Sequence, residues 1–451
     1  MESNRVIKVA IIGAGAAGLA ALRHLTSGTR YNYEDADARH EEENPVQFDV
    51  VCFEMASKVG GTWLYTDRTG RDELGRLIFS SMYKNLVTNI PKECMAFPDF
   101  PFRDDLPSFM GHEEVLNYFQ DYADYFGLLK YIQFQRQVAL VKPIPEPSAK
   151  FGVRWEVTTQ DVLDLQDPGR TEIFDAVIVA NGKFSVPSIP TLPGMDTFKG
   201  QLMHSHDYRH PEKFSNQVLV LLGANLSGQD IAIGLSAVAK KVYLSHNKAP
   251  LESRLPHNVE ERPGVCSLGP GSRVTFLDGS TADVDTVMFC TGYCHDYGFL
   301  APECGVEVFD KRVWPVYKHF VNTKFPSMAI MGICTRVLPF PLYDIQIRFF
   351  KAVLEGRVTL PSESEMNEDI EADYRARLAE GQFHRHCHSM YDRLFTYMDL
   401  LADMARTKRI PKYFQDAYKW GVLHRKMDMV NYKKMNFPSS DKKAEHEAIF
   451  F

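Results

Sequence analysis

Two glycine-rich loops of the type that binds dinucleotides lie in this chain, one at residues 13–18 (GAGAAG) and one at residues 223–228 (GANLSG). One such loop is a weak signal, because many folds share it. Two loops in one chain predict that two dinucleotides bind at once, in two separate parts of the protein. This arrangement favours redox chemistry in which a hydride passes from a nicotinamide to a flavin.

The first loop has the flanking elements that a dinucleotide site requires. An apolar strand is predicted over residues 6–12, and an apolar helix follows the loop. Gly13 permits the tight turn, Gly15 lets the backbone approach a pyrophosphate, and Gly18 allows the helix to pack closely on the strand. The N-terminus of that helix then faces the phosphate charge.

A candidate ribose-binding residue follows the second predicted strand, which begins at Gln47 and ends at Glu54. A carboxylate there can accept both hydroxyls of an adenosine ribose. The usual spacing from the first glycine to this acid is roughly 20 residues, and here it is about twice that. The excess is the polar segment 29–45, which contains three consecutive glutamates and is predicted to be a surface insertion without a functional role.

Composition is that of a globular protein. The chain has 451 residues, of which 45% are apolar and 24% charged, and its length allows two or three domains. A net charge of −7 argues against nucleic acid or an anionic membrane as a partner. No apolar run approaches the roughly 18 residues of a membrane span, the first strand begins too early for a signal peptide, and the tail 441–451 is polar. We therefore expect a soluble cytoplasmic protein.

The eight cysteines are scattered and none forms a C-x-x-C pair, which favours reduced, mostly buried thiols. A disulfide reductase shares the double nucleotide fold but needs paired cysteines, and Cys290 and Cys294 are one residue too far apart. His206 and His210 lie near His204, yet no carboxylate or cysteine completes a convincing ligand set. No metal site is predicted.

Two short apolar strands that end in small-residue turns, at residues 180–182 and 290–292, enclose the second loop. In proteins that bind two dinucleotides, such turns mark the crossings between domains. The sequence thus predicts an α/β fold with two Rossmann-like dinucleotide-binding domains, the NADPH domain inserted into the FAD domain. The predicted boundaries are 1–200 with 300–451 for the discontinuous FAD-binding domain and 201–299 for the NADPH-binding domain.

The second loop departs from the first at its middle position, where Asn225 replaces glycine. Asparagine tolerates left-handed backbone better than most residues, so the turn is predicted to survive with a less close approach to the pyrophosphate. Ser227 is a candidate N-cap for a helix predicted over 229–239. Cations after the next strand would bind the 2′-phosphate that distinguishes NADPH from NADH. Lys248 is the first candidate for this contact and Arg254 is the second.

A more specific motif, Phe198-Lys-Gly200-Gln-Leu-Met-His204-Ser-His-Asp-Tyr208, lies between the two loops. Together with Gly60-Gly61-Thr62-Trp63, Thr88-Asn89 and the two crossing turns, it makes the chain resemble the flavin-containing monooxygenases, which are class B flavoprotein monooxygenases. The resemblance covers most of residues 6–300. The C-terminal third, with LPFPLYDIQ at 338–346, resembles the short insect members, among which the pyrrolizidine-alkaloid N-oxygenases are nearest.

The resemblance implies that NADPH reduces FAD and that O₂ then forms a flavin C4a-hydroperoxide. A soft nucleophile, the nitrogen of a tertiary amine or the sulfur of a thioether, takes one oxygen atom from it. Such chemistry needs no acid–base pair to activate the substrate, but it must exclude water. Self-association is left open. The alternatives are a Baeyer–Villiger monooxygenase, whose motif normally ends in tryptophan rather than Tyr208, and a non-oxygenating flavoprotein.

The resemblance also implies a set of site residues. Asn89 is the candidate catalytic residue, because its amide can hydrogen-bond near the flavin, although a turn-capping asparagine is the alternative. For His204, packing between domains is favoured over catalysis. The FAD contacts implied are Gly13, Gly15, Ala16, Ala17, Gly18, Glu54, Gly61, Thr62, Trp63, Thr88, Asn89 and Gln346. The NADP contacts implied are Thr88, Asn89, Tyr208, Gly223, Asn225, Ser227, Gly228, Gln229, Asp230, Lys248 and Arg254.

Overall fold

The computed structural model describes residues 6–27 and 46–438. Two predicted segments, the polar insertion 29–45 and the polar tail 441–451, lie outside the described residues. Within the described residues, two mainly parallel sheets form one after the other along the chain, each with its own glycine-rich loop. The predicted α/β fold is confirmed.

The strands are β1 Val6–Ile12, β2 Gln47–Phe53, β3 Ile132–Gln133, β4 Arg136–Pro145, β5 Val153–Asp161, β6 Arg170–Phe174, β7 Ala176–Val179, β8 Val186–Pro187, β9 Gln201–His204, β10 Val218–Leu222, β11 Lys241–Ser245, β12 Val259–Arg262, β13 Val265–Leu268, β14 Arg273–Phe276, β15 Thr281–Asp283, β16 Thr286–Phe289, β17 Tyr293–Cys294, β18 Glu307–Phe309, β19 Arg312–Trp314, β20 Val316–Tyr317, β21 Val321–Asn322 and β22 Met328–Ile330. The α-helices are α1 Ala16–Thr26, α2 Lys92–Met95, α3 His112–Tyr125, α4 Leu226–Leu235, α5 Pro339–Glu355, α6 Glu363–Ala379, α7 Leu394–Met404 and α8 Lys412–Met427.

The first sheet has the order β20-β21-β22-β7-β1-β2-β3, and its strands from β22 to β3 are parallel. Both faces are buried, as the apolar sequence of β1 requires. Val9 and Ile11 pack into the core that contains α1 and α5, whereas Ala10 and Ile12 pack into the core that contains β5. This alternation is the period of two expected of a strand, and it places the loop after β1 at the carboxyl edge of the sheet.

The second sheet has the order β12-β11-β10-β16-β9 and is parallel throughout. Leu219 and Leu221 of β10 pack with α4, while Val220 packs on the other face with the antiparallel strands β13, β14 and β15. Helix α4 follows β10 directly, so the second loop also lies at a carboxyl edge. This is the position at which parallel α/β sheets bind their ligands.

A two-stranded antiparallel ribbon carries the chain into the second sheet and back out of it. Strand β8 pairs with β17, and the Ser188 amide donates to the Gly292 carbonyl at 2.9 Å. The second Rossmann-like domain is therefore inserted into the first. The precise domain boundaries at 200 and 300 stay a prediction, and the strands of the second sheet fall between Gln201 and Phe289.

Two further observations bear on the sequence analysis. All eight cysteines are free, and six of them are buried, which confirms the prediction of unpaired thiols. In the part of the chain that the structure describes, none of the helices combines the length and the apolar character needed to cross a membrane.

Candidate cofactor and active site

The first loop forms a turn that only glycine can adopt at two positions. Gly13 has a φ of 101°, and a Cβ there would lie 2.6 Å from the Ala180 carbonyl oxygen. A Cβ on Gly18 would overlap the Gly13 carbonyl oxygen. Helix α1 begins directly after Gly15, and no side chain caps its N-terminus. Its first backbone N–H groups are therefore available to an anion such as a dinucleotide pyrophosphate.

The Gly60–Trp63 segment, which contains three of the implied FAD contacts, lies directly against the first loop. The Gly60 amide donates to the Ala14 carbonyl at 3.2 Å. A Cβ on Gly61, whose φ is 53°, would lie 3.0 Å from Gly15 Cα. Trp63 is half-buried against the first core. Two glycines from different segments thus form a cradle that side chains would fill, which fits the close approach of a dinucleotide.

Glu54 lies at the same edge, immediately after β2, and is buried. Its carboxylate accepts the backbone N–H of Ala14 at 2.6 Å and that of Ala56 at 2.7 Å. Burial raises the pKa of Glu54, and the backbone donors offset only part of that rise. The carboxylate therefore braces the first loop, and its contact with a ribose stays a prediction.

The second loop repeats the first in its outer glycines. Gly223 has a φ of 115°, and a Cβ there would lie 2.6 Å from the Cys290 carbonyl oxygen. A Cβ on Gly228 would overlap the Gly223 carbonyl oxygen. The two crossing turns, at Ala180 and Cys290, therefore serve the same steric purpose in the two sheets, because each supplies the carbonyl that the first glycine of the loop touches.

The turn survives at Asn225 as predicted, although not for the predicted reason, and two other expectations for the second loop were wrong. Asn225 has φ −85° and ψ −170°, so its backbone is extended and its tolerance of left-handed conformations is not used. Helix α4 begins at Leu226 rather than at 229 and ends at Leu235, with Asn225 as its N-cap residue. Ser227 therefore lies exposed in the first turn and is not the N-cap. The sequence did not reveal this shift, because Leu226 and Ser227 are compatible with both loop and helix.

Positive charge converges on the second loop. The Asn225 side-chain oxygen accepts hydrogen bonds from Lys248 Nζ and from Arg336 Nη2, the latter at 2.7 Å. Burial lowers the pKa of Lys248, and the neighbouring Arg336 and Arg425 lower it further. Lys248 was predicted from its place after β11. Sequence reasoning missed Arg336 and Arg425, because each lies far along the chain and no local motif marks either. Arg254, the second predicted cation, is exposed and forms no ion pair with any residue that the structure describes.

A small cleft lies between Asn89, α4 and the C-terminal segment. It is lined both by the candidate catalytic residue, Asn89, and by two predicted NADP contacts, Gln229 and Asp230. Asn89 is half-buried. The residues that line the cleft are Asn89, Leu226, Gln229, Asp230, Ile233, Arg425, Met429 and Tyr432.

Asp230 joins the two parts of the protein across this cleft. Its carboxylate accepts hydrogen bonds from the Tyr83 hydroxyl and from Lys433 Nζ, and Lys433 also donates to the Val87 carbonyl at 2.9 Å. Burial, followed by the charge of Asp230, raises the pKa of Tyr83. Asp230 thus holds α4 against the segment that carries Asn89, and its predicted contact with NADP stays a prediction.

Three other predicted residues are buried in contact with the rest of the protein. The buried Thr88 hydroxyl accepts the Met110 N–H at 3.2 Å, and the Gln346 amide donates to the Tyr397 hydroxyl at 3.0 Å. Tyr208 is buried in the core of the second sheet, where its ring lies 5.4 Å from that of Tyr83. The roles of these residues at a cofactor stay predictions.

His204 has the surroundings of a packing residue. Its Nδ1 accepts the N–H of His206 at 3.0 Å, and its ring lies edge-on to Tyr293 at 5.2 Å. Burial lowers the pKa of His204 to about 4. The imidazole is therefore neutral at physiological pH. Among the described residues, no group of histidines, cysteines and carboxylates has the arrangement of a metal site.

Comparison with known proteins gives the family. The sequence profile of the flavin-binding monooxygenase-like family matches residues 6–253 and 251–417, and the chain belongs to this family. Flavin-containing monooxygenase FMO GS-OX-like 4 of Arabidopsis thaliana is 36% identical over 434 residues, which cover 91% of this chain and 90% of the relative. The protein is thus a flavin-containing monooxygenase that uses FAD and NADPH.

Solved structures extend the similarity to the whole described fold. The S-allyl-L-cysteine S-oxygenase from Allium sativum is 33% identical, with a TM-score of 0.84 and coverage of 98% of both chains. Tmm from Pelagibacter sp. strain HTCC7211 is 29% identical, with a TM-score of 0.79 and coverage of 96% of this chain and 94% of Tmm. The glycine cradle at the first loop fits FAD, and the uncapped N-terminus of α4 at the second loop fits a phosphate of NADPH.

Proposed function

We propose that this monooxygenase transfers one oxygen atom from O₂ to a soft nucleophile, either the sulfur of a thioether or the nitrogen of a tertiary amine. The composition of the Asn89 cleft carries this proposal. Its lining residues include only one carboxylate, Asp230, and that group is already bonded to Tyr83 and Lys433. A lone pair on sulfur or unprotonated nitrogen attacks without an acid–base pair, so these surroundings suit it.

The relatives support the sulfur half of the proposal. A similar structure is that of an S-oxygenase whose substrate, S-allyl-L-cysteine, is a thioether. The narrower resemblance to insect enzymes that N-oxygenate pyrrolizidine alkaloids stays a prediction. It depends on side chains that line the substrate channel rather than on the nucleotide loops.

Each described segment has a definite task in this proposal. The first loop and the Gly60–Trp63 turn bind FAD, which on reduction by NADPH supplies the chemistry that activates O₂. The second loop binds NADPH. The Asp230 bridge to Tyr83 and Lys433 keeps α4 closed over Asn89, which limits the entry of water. The Asn89 amide is a donor that can hydrogen-bond oxygen at the flavin edge of the cleft.

The reaction class can be tested with isotopically labelled O₂ and a panel of thioethers, tertiary amines and cyclic ketones. We expect one labelled atom in a sulfoxide or N-oxide and the other in water. Amine turnover should rise with pH towards the pKa of the amine, whereas thioether turnover should be flatter. Product without label would contradict the proposal. Faster conversion of ketones to lactones would indicate Baeyer–Villiger chemistry, and no substrate-dependent NADPH oxidation would indicate a non-oxygenating flavoprotein.

The role of Asn89 can be tested with Asn89→Asp, which is nearly isosteric but adds a negative charge and removes the amide donor. Hydrogen bonds to charged groups contribute about 1.5–3 kcal/mol. We expect the variant to bind FAD and to be reduced by NADPH, yet to release hydrogen peroxide instead of oxygenated product. Asn117→Asp, at an exposed position of α3, adds the same charge as a control. Unchanged product per NADPH in Asn89→Asp would assign Asn89 a structural role only.

A further inference from the structure

Asn225 occupies the position in the second loop that corresponds to Gly15, the middle glycine of the first loop. Its side chain is exposed. Two cations donate to its amide oxygen. Lys248 comes from the segment after β11 in the second sheet, whereas Arg336 comes from the segment between β22 and α5, which belongs to the first sheet. The contact therefore connects the two nucleotide-binding parts of the protein.

The charge around Asn225 is uncompensated. Among the residues that the structure describes, no carboxylate forms an ion pair with Lys248, Arg336 or Arg425. The groups that lower the pKa of Lys248 after burial are Arg336 and Arg425, both positive. His386 has the same surroundings, because its pKa is lowered by burial and then by Arg385, Arg336 and Lys248. Like charges held close together repel one another unless an anion binds between them.

These cations lie beside the N-terminus of α4, because both donate to Asn225, its N-cap residue. Asn225 precedes the first turn of α4, whose N-terminus no side chain caps. The cations and the helix N-terminus therefore act on the same small volume. The Arg336 guanidinium lies over the ring of Tyr391, whose centroid is 5.4 Å from the guanidinium carbon. A guanidinium so placed presents a planar donor pair that suits a phosphate.

We propose that Arg336 and Lys248 together bind a phosphate group of NADPH, and that the Asn225 amide oxygen competes with this phosphate for the same donors. Arg336 then contacts the nicotinamide cofactor, although it belongs to the part of the protein that contains the first sheet. Asn225 in turn sets how tightly the cofactor is held. A glycine at this position, as in the first loop, would leave both donors to the phosphate.

Equilibrium binding of NADP⁺ to the FAD-loaded protein, measured by calorimetry, tests the proposal without reference to turnover. We expect Arg336→Gln to weaken NADP⁺ binding by about tenfold or more, because a charge-assisted hydrogen bond is lost. Arg336→Lys should restore part of the affinity. Arg406→Gln is the matched control, since Arg406 is also an arginine with left-handed backbone, at φ 49°, but is exposed and remote in sequence from both loops.

Variants of Asn225 test the competition separately. Asn225→Ala fits the extended backbone and removes the competing oxygen, so NADP⁺ should bind several-fold more tightly. Asn225→Asp should weaken binding by about tenfold or more, because a carboxylate neutralises the two cations. Bound FAD and the thermal midpoint, measured on every variant, would identify a folding defect.

NAD⁺ distinguishes the two phosphate groups. If Arg336→Gln weakens NADP⁺ but not NAD⁺, the cations bind the 2′-phosphate, and if both weaken equally they bind the diphosphate. Either result supports the proposal. Binding of NADP⁺ to folded Arg336→Gln within twofold of the wild type would overturn the role of Arg336. Weaker binding to Asn225→Ala than to the wild type would overturn the competition.

Discussion

The two nucleotide loops of this protein have the same outer glycines but different middle residues. In both, the first glycine has a positive φ and touches a carbonyl from a neighbouring strand end, and the last glycine packs against the first. The middle residues also share one backbone conformation, with φ −80° at Gly15 and −85° at Asn225. They differ in what they face, because Gly15 lies against the backbone of Gly61, whereas Asn225 is exposed and bonded to Lys248 and Arg336.

This comparison separates two reasons for glycine in a dinucleotide loop. The outer glycines are required by the loop itself, through backbone angle and contact within the turn. The middle glycine is not required by the loop itself, since Asn225 adopts the same backbone conformation as Gly15. In the first loop, glycine at this position leaves the backbone beside Gly61 open to a cofactor. A sequence motif records both requirements with the same letter, so the structure is needed to tell them apart.

The largest expected effect comes from the last glycine of each loop. Gly18→Ala and Gly228→Ala each place a methyl group onto a backbone carbonyl oxygen, and overpacking of this kind destabilises a protein by about 3 kcal/mol. We expect Gly18→Ala to lose FAD, and Gly228→Ala to keep FAD but lose NADP⁺ binding. Flavin absorbance after purification and NADP⁺ calorimetry measure the two outcomes. If both variants lost only FAD, the two loops would not be independent sites.

A smaller effect concerns stability at low pH. It is compared between the first part of the protein, which contains the first sheet, and the second part, which contains the second sheet. Burial lowers the pKa of His319, in the first part, to about 4 and that of its neighbour His388 well below 6.5, and lowers that of His204, in the second part, to about 4. Because these folded-state values lie below the unfolded one, the unfolded chain takes up protons first. Stability is therefore complete above pH 6.5 and is lost as the pH falls towards 4, by up to about 1.4 kcal/mol per pH unit for each histidine.

The free energy of unfolding, measured with denaturant at pH 7 and at pH 5, checks this loss of stability. His204→Asn keeps an acceptor for the His206 amide. It should reduce the pH dependence of the free energy of unfolding by up to the contribution of one histidine, about 1.4 kcal/mol per pH unit. His257→Asn, at an exposed position, is the control. The first part has four histidines whose pKa is lowered, His295, His319, His386 and His388, and the second part has one, His204. Hydrogen exchange should therefore increase earlier in the first sheet as the pH falls. Earlier exchange in the second sheet would contradict this account.

The smallest effect is expected at the middle glycine. In Gly15→Ala the new Cβ would lie 3.4 Å from Gly61 Cα, an ordinary contact, and the backbone angles suit alanine. We expect little change in the free energy of unfolding and a several-fold weaker FAD affinity, because the methyl group stands where the cofactor approaches. Gly61→Ala should be worse, since its φ is 53° and its Cβ would lie 3.0 Å from Gly15 Cα. If Gly15→Ala and Gly61→Ala had equal effects on stability and on FAD affinity, contact with the cofactor alone would explain why glycine is needed at both positions.

The fold was predictable because its signals are local. The apolar strand before Gly13, the spacing of the glycines and the two crossing turns each lie within a few residues, and together they predicted two Rossmann-like domains. The start of α4 was missed by three residues, because Asn225 and Ser227 are both N-cap residue types and only the structure shows which one precedes the helix. Side-chain pairing across the cleft was not predictable, since Asp230 is bonded by Tyr83 and Lys433, and Asn225 by Arg336, all distant in sequence.

The β8–β17 ribbon has a consequence for how the chain folds. The second sheet is built from one uninterrupted stretch, whereas the first sheet must pair β7 with β22, which lie on either side of that stretch. Closing so long a loop costs conformational entropy. Once the second sheet and the ribbon have formed, residues 186 and 294 are neighbours, and the loop that remains to be closed is shorter. Folding of the inserted part thus lowers the entropic cost of completing the first sheet.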